Sequence, residues 1–218
     1  MLEQYSAPLP QQRTLELQMN PATDPASVDD QLVRHADIIA ATRGWLERAV
    51  IGLNLCPFAK SVHVKGQVRY VVSAARTDNA LLDDFERELK FLTEVAPEEV
   101  DTTLLITPDA LGDFADFTDF LDLAEVVLRT HGLVGVLQVA SFHPDYVFAD
   151  AAPDDIANHT NRAPYPTLHL LREASLARAT AAIPDAADIY QRNIETMRRL
   201  GLDGWRALDV DAPAKPKA

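Results

Sequence analysis

The sequence predicts an α/β fold: a small, mostly parallel sheet of about three or more strands, with crossover helices and further helices at both ends. Three apolar and β-branched runs predict the strands, VRYVVS at 68–73, TTLLIT at 102–107 and VGVLQVASF at 134–142. A helical stretch separates each run from the next, and this alternation is typical of parallel neighbours. An α+β sheet of ferredoxin-like topology is the alternative, because three strands alone do not fix the strand order.

Apolar residues at helical spacing predict the helices. In the first helix they recur every seven residues from Leu32 to Leu53. Asp113 and Asp185 are placed to cap two later helices, and Gly201 is placed to end the last one. The predicted helices cover about residues 29–55, 78–95, 113–132, 167–182 and 185–200.

The domain organisation follows from composition along the chain. Residues 1–27 hold several prolines among Gln, Ser and Thr, which predicts a disordered N-terminal arm. Residues 28–205 carry the patterned strands and helices, and we expect them to form a single α/β domain. Residues 206–218, which end in DAPAKPKA, predict a flexible tail.

Overall charge and cysteine usage narrow the classes of function. The chain is 47% hydrophobic and has a formal net charge of −13. Such a surface repels phosphate backbones and anionic lipids, so we expect neither nucleic acid nor a membrane as a partner. Cys56 is the single cysteine, the N-terminus lacks a secretory pattern, and no apolar run approaches about 20 residues. These features predict a soluble cytoplasmic protein, and nothing in them indicates an oligomeric state.

Ligands of parallel sheets bind beyond the carboxyl ends of the strands, so the residues that follow each strand are the first candidates. Arg76 follows the first strand, and His143 follows the third. His143 also begins an irregular segment that extends to about Pro166. An irregular segment of this length inside a compact domain is typically functional, disordered or a linker.

Cys56 allows two interpretations. Its spacing from Ala49 and Leu53 places it on the apolar face of the first helix, where a free cysteine is a core residue. Pro57, however, favours a break and a new helical turn. In that case Cys56 caps the turn, and its thiol becomes a reactive group or a metal ligand.

The string NHTNRAPYPTLHLLRE is the most distinctive stretch, and it supplies the predicted ligand-binding residues. If a helix begins near Thr167, its free N–H groups offer an anion site, and His169, Arg172 and Glu173 share one face. Arginine forks are suited to a carboxylate or a phosphate. The simpler interpretation is that the asparagines satisfy the backbone of a turn and that Arg172 and Glu173 form a solvated pair. The predicted ligand-binding residues are Arg76, Asn158, Asn161, Arg162, Tyr165, Arg172 and Glu173.

Several of these strings together resemble a known family. WLERAVIGLNLCPFAKSV, RYVVS, DTTLLI, ASFHPDYVFAD and NRAPYPTLHLLREAS are similar to the domain of unknown function numbered 1415, over roughly residues 30–200. The resemblance implies a family of bacterial and plant proteins. It implies no activity, cofactor or catalytic residue, so the hypotheses on function rest on the residues alone.

Three hypotheses follow. In the first, the protein is an enzyme that acts on a small anionic molecule, with Cys56, His143 and His169 as catalytic residues and Arg162 and Arg172 as the anion site. In the second, the same loop binds an anion or a partner protein without catalysis, and Cys56 is a core residue. In the third, Cys56, His143 and His169 hold a metal ion, since zinc accepts sulfur and imidazole ligands, although their spacing matches no local metal motif.

Overall fold

A four-stranded mixed sheet lies at the centre of the protein, with helices on both faces. The computed structural model describes residues 25–181 and 188–212. Its elements are α1 (Pro25–Trp45), a π-helical turn (Leu46–Ile51), α2 (Ala59–Val64), β1 (Val68–Val72), α3 (Asp78–Glu94), β2 (Thr102–Ile106), α4 (Phe114–Thr130), β3 (Leu137–Phe142), a 3-10 turn (Ile156–Thr160), β4 (Thr167–Arg172), α5 (Glu173–Ala181) and α6 (Ile189–Ala207).

The strand order is β1-β2-β4-β3, and β4 runs antiparallel to both of its neighbours. β1 and β2 form a parallel pair, and β3 runs in the same direction as both. The three predicted strands therefore exist and share one direction, as their crossover helices require. With one parallel and two antiparallel pairs the sheet is mixed, so the expectation of a mostly parallel sheet is not confirmed. The chain order β-α-β-α-β-β also differs from the β-α-β-β-α-β order of ferredoxin-like folds.

The fourth strand occupies residues that the sequence assigned to a helix, and that assignment is wrong. Thr167–Arg172 is β4, and the helix begins only at Glu173. The segment is rich in leucine, which favours helices, but pairing on both sides satisfies its backbone groups and buries Leu168 and Leu170 completely. No helix N-terminus therefore lies at Thr167, and His169, Arg172 and Glu173 do not share a helical face.

The face of the sheet that carries Leu105, Leu168 and Leu170 packs against α3 and α4. Both helices are strongly amphipathic, and they bury their apolar stripes here, including Phe85 and Phe117. Thr77 caps α3, and Asp113 caps α4 by accepting from the backbone N–H of Ala115 at 2.8 Å, which confirms the predicted role of Asp113.

The opposite face of the sheet packs against the end of α1, the π-helical turn and α6. Its core contains Trp45, Ala49, Met197 and Trp205, with Phe142 at its edge. The predicted first helix extends to about residue 55, but the α-helical part ends at Trp45 and a π-helical turn follows.

Gly201 ends the first part of α6, as the sequence predicts, because its φ of 67° and ψ of 174° are not helical, and a second helical part continues beyond this break to Ala207. The predicted N-terminal arm overlaps α1 at residues 25–27 and otherwise lies outside the described residues. Asp185 and residues 213–218 of the predicted tail lie outside them as well. In the described ranges, no helix is both long and apolar enough to span a membrane.

Candidate functional site

A cleft of about 630 Å³ opens on the face of the sheet opposite α3 and α4. Its floor is formed by strand residues whose side chains alternate with those of the core, and its walls come from the π-helical turn, α2 and α5. Floor residues include Val68, Leu104, Ala140, Phe142, His169 and Leu171, and wall residues include Leu46, Val50, Cys56, Phe58, Val62 and Leu176. A mostly apolar cleft of this size with a few polar groups is typical of a small-molecule site.

An irregular stretch of backbone presents Cys56 to the cleft. It contains the π-helical turn Leu46–Ile51 and Asn54, a non-glycine residue at φ 54°. Such π-helical turns and left-handed residues are enriched at functional sites. α2 begins after Pro57, so the predicted new turn is present, although Phe58 rather than Cys56 precedes its first residue.

The thiol of Cys56 is neutral at pH 7. Burial raises its pKa, and this effect outweighs the backbone N–H groups of Phe58 and Ala59, which donate to the sulfur and favour its charged form. The cleft therefore holds a thiol rather than a preformed thiolate.

His169 lies in the middle of β4, opposite Leu104 on one side and Ala140 on the other. Its Nε2 lies 2.7 Å from the hydroxyl oxygen of Thr102, and that oxygen lies 2.6 Å from the carbonyl oxygen of Leu170. The hydroxyl has one proton and donates it to the carbonyl, so it must accept from Nε2. His169 is thus the Nε2–H tautomer, and its Nδ1 has a free lone pair with no hydrogen bond to any described residue.

Burial lowers the pKa of His169 to about 4, so the ring is neutral at pH 7. The ring is half-buried and contributes to the floor of the cleft. Cys56 and His169 are thus two neutral, proton-exchanging groups that line the same cleft.

One end of the cleft carries charged residues. Lys65, Arg172 and Arg178 line it, together with Glu98 and Asp101. This end lies where β1 and β2 begin and β4 ends, which is the edge opposite the one expected from the rule for parallel strands.

Arg172 is held by the backbone at this end. Its Nη2 donates to the carbonyl oxygens of Val95 at 2.7 Å and Val100 at 3.1 Å, and its buried Nε has no hydrogen-bond partner among the residues that the structure describes. Among the described residues no carboxylate lies within ion-pair distance of Arg172, and burial lowers the pKa of its guanidinium.

His143 does not line the cleft. Its ring is fully buried against Phe114 and Phe117 of α4, on the other side of the sheet. Nε2 lies 3.0 Å from the carbonyl oxygen of Leu111, and Nδ1 accepts from the backbone N–H of Asp145 at 3.0 Å. Both ring nitrogens are therefore occupied, and burial lowers the pKa of His143.

The irregular segment from His143 to Pro166 is called the long segment below. Its asparagines form hydrogen bonds with backbone groups of this segment and of β3. Asn158 accepts from the N–H of Phe148 and donates to the carbonyl of Ala152, and Asn161 donates to the carbonyl of Ser141. They hold the segment in one conformation, and neither residue lines the cleft.

Arg162 also serves the long segment, where it donates to the carbonyl oxygens of Tyr146 and Pro153. It lines a second cavity of about 300 Å³ with His159 and Trp205. Arg162 and Arg172, which the sequence assigned to one anion site, therefore lie in different cavities.

The three remaining predicted residues lie outside both cavities. Arg76 is exposed in the turn after β1. Tyr165 is half-buried near Arg34, and burial raises the pKa of its phenol. Glu173 begins α5, and its backbone N–H donates to the carbonyl of Val136.

The structure does not gather the three residues of the metal hypothesis. Within residues 25–181 and 188–212, no group of three or more His, Cys, Asp or Glu side chains is placed to hold a metal ion. Only Cys56 and His169 of the predicted set share a cleft.

Sequence reasoning missed Thr102, Lys65 and Arg178. Thr102 faces the same side of the sheet as His169 in the neighbouring strand. Had TLHLLR been recognised as a strand, its alternation would have placed His169 on one face and Leu168 and Leu170 on the other.

The fold and the cleft define a mixed α/β protein with a thiol and an imidazole in an apolar site. The chain belongs to the family described as Protein of unknown function (DUF1415), whose model matches residues 37–207. This range includes all four strands and the residues of the cleft, and it confirms the resemblance seen in the sequence. No curated protein and no solved structure matches the chain.

Proposed function

We propose that this protein is an enzyme that acts on a small molecule in the cleft, with Cys56 as nucleophile and His169 as general base. The observation that carries the proposal is that the only thiol of the chain and an imidazole with a free ring nitrogen line the same apolar cleft. Arg172, with Lys65 and Arg178, supplies positive charge for an acidic group of the substrate.

The neutral state of both groups defines how the chemistry proceeds. As the sulfur of Cys56 bonds to an electrophilic carbonyl carbon, the thiol proton passes through one bridging water molecule to Nδ1 of His169. The bond to the leaving group then breaks, and the leaving group takes the proton from the imidazolium. Water, deprotonated by the same nitrogen, cleaves the acyl–sulfur bond, releases the acid and restores the thiol.

Thr102 is a positioning residue in this scheme. By accepting from Nε2–H it keeps the lone pair on Nδ1, and its own proton is anchored on the carbonyl of Leu170. A positive charge that develops on the ring during proton transfer is stabilised by the same hydroxyl oxygen.

The test uses p-nitrophenyl acetate, a small activated ester, and records both nitrophenolate release and the intact mass of the protein. We expect one acetyl group on the wild-type protein, none on Cys56→Ala, and slower acetylation of His169→Gln. His131→Gln is the matched control, because His131 is an exposed histidine at the end of α4. Nitrophenolate release by folded Cys56→Ala at the wild-type rate overturns the proposal.

A non-catalytic binding module is the second candidate. It is favoured by the pKa directions, because burial raises that of Cys56 and lowers that of His169, so no charged thiolate–imidazolium pair exists before a ligand binds. In that case Cys56→Ser retains full affinity for a ligand of the cleft, and the native thiol reacts slowly with iodoacetamide.

A further inference from the structure

We infer that the substrate is an acyl compound with an alkyl chain of medium length, and that it carries an acidic group that lies at the charged end of the cleft. This inference rests on the proposed function and names the substrate class of the same site. Two independent features of the cleft carry it, its apolar lining and the charges at one end.

The apolar lining surrounds the reactive residues. Leu104 and Ala140 flank His169 on the two neighbouring strands, and Leu171 follows on the same face of β4. The small side chain of Ala140 leaves open space beside the imidazole. Phe142 extends the apolar floor beyond Ala140 along β3.

The volume of the cleft exceeds the requirement of a short acyl group. About 630 Å³ is within the range of sites that enclose a whole drug-sized molecule. Each methylene group that leaves water for an apolar wall raises affinity roughly fourfold. A chain of eight carbons should therefore react at least about 100-fold more efficiently than an acetyl group, even if only part of the chain is buried.

The charged end of the cleft favours an acidic group. The chain as a whole has a net charge of −13, yet Lys65, Arg172 and Arg178 outnumber Glu98 and Asp101 here. Asp101 already accepts from the hydroxyl of Ser175 at 2.5 Å. An anion at this end therefore meets one more positive than negative side chain, although the chain as a whole is acidic.

The experiment compares p-nitrophenyl acetate, butyrate and octanoate as substrates of the wild-type protein and of variants that fill the cleft. We expect kcat/KM to rise at least about 100-fold from acetate to octanoate. Ala140→Leu should remove most of this rise, so that the ratio of kcat/KM for the octanoate ester to that for the acetate ester falls at least about tenfold. Ala74→Leu, at an exposed alanine outside the cleft, is the matched control. Ala179→Leu fills the same cleft from α5 and replaces Ala140→Leu if that variant fails to fold.

The acidic group is tested with octanoate, octyl phosphate and octyltrimethylammonium as inhibitors. Both anions should inhibit, and the cation of the same chain length should inhibit at least tenfold more weakly. Arg178→Gln should weaken inhibition by the anions, whereas Arg76→Gln, an exposed arginine outside the cleft, should not. The relative strength of octanoate and octyl phosphate identifies a carboxylate or a phosphate as the preferred group.

Equal kcat/KM for p-nitrophenyl acetate and p-nitrophenyl octanoate overturns the inference. Inhibition by octyltrimethylammonium as strong as by the two anions overturns it as well. These outcomes leave the proposed function intact if acetylation still depends on Cys56. Conversely, inhibition by octanoate that resists Arg178→Gln contradicts only the acidic part, and hydrolysis of p-nitrophenyl octanoate that persists in folded Cys56→Ala contradicts the catalytic role of Cys56.

Discussion

Replacement of His169 by glutamine should reduce the loss of folding stability that this protein suffers on acidification. The imidazole has a pKa of about 4 in the folded protein, against an ordinary value of 6.5 in the unfolded chain. Between these values the unfolded state binds more protons than the folded state, so stability is lost as the pH falls from 6.5 towards 4. The stability contributed by the neutral ring is fully present above pH 6.5.

The magnitude follows from the two pKa values. Each pH unit between them is worth about 1.4 kcal/mol, so acidification from pH 7 to pH 5 costs about 2 kcal/mol through this one residue. Other histidines and carboxylates titrate in the same interval, but they are common to wild type and variant. The difference between the two proteins therefore isolates His169.

The assay is urea unfolding of wild type and His169→Gln at pH 7 and pH 5. Glutamine retains an N–H donor for the hydroxyl of Thr102 and does not titrate. The wild-type protein should lose about 2 kcal/mol more free energy of unfolding than the variant on going to pH 5. Equal losses in the two proteins would show that the ring is solvated and that its pKa is close to 6.5.

Three further substitutions test the packing that supports the site, each by urea unfolding at pH 7. Phe85→Ala, in the fully buried centre of the α3 face, should cost about 3–5 kcal/mol, and a cost below 2 kcal/mol would contradict the core assignment. The buried carboxylate of Glu88 accepts from Arg69 at 2.8 Å. Arg69→Met leaves this carboxylate unpaired and should cost about 3 kcal/mol. The double variant Arg69→Met with Glu88→Leu should recover much of this loss. Asp113→Ala removes the cap of α4 and should cost about 1 kcal/mol, with Asp113→Asn close to wild type.

Local patterns were sufficient for most of the fold. The alternation of three apolar runs and two amphipathic helices predicts β1, β2 and β3 and the crossover helices between them, because β-branched apolar runs and helical spacing are local signals. β4 differs, because a leucine-rich segment of six residues is compatible with both a helix and a strand. Its conformation is decided by β2 and β3, which pair with it from both sides, and no local signal carries that information.

The candidate site shows the same division. Cys56 and His169 were predicted from their chemical type, and both line the cleft, but His143 lies on the other side of the sheet. The sequence cannot show whether a polar side chain is already used by the backbone. In this protein the nitrogens of His143 and the amide of Asn158 are used in that way.

The antiparallel direction of β4 explains why the cleft has its charged end at the unexpected edge of the sheet. The carboxyl ends of β1, β2 and β3 lie at one edge, where buried His143 and the long segment close the structure. β4 returns from that edge and carries His169 to the middle of the sheet and Arg172 to the opposite edge. The long segment thus acts by delivering β4 between β2 and β3 in the register that brings His169 beside Thr102. Its polar residues stabilise the conformation of this connection, whereas the proposed general base, His169, lies on β4 itself.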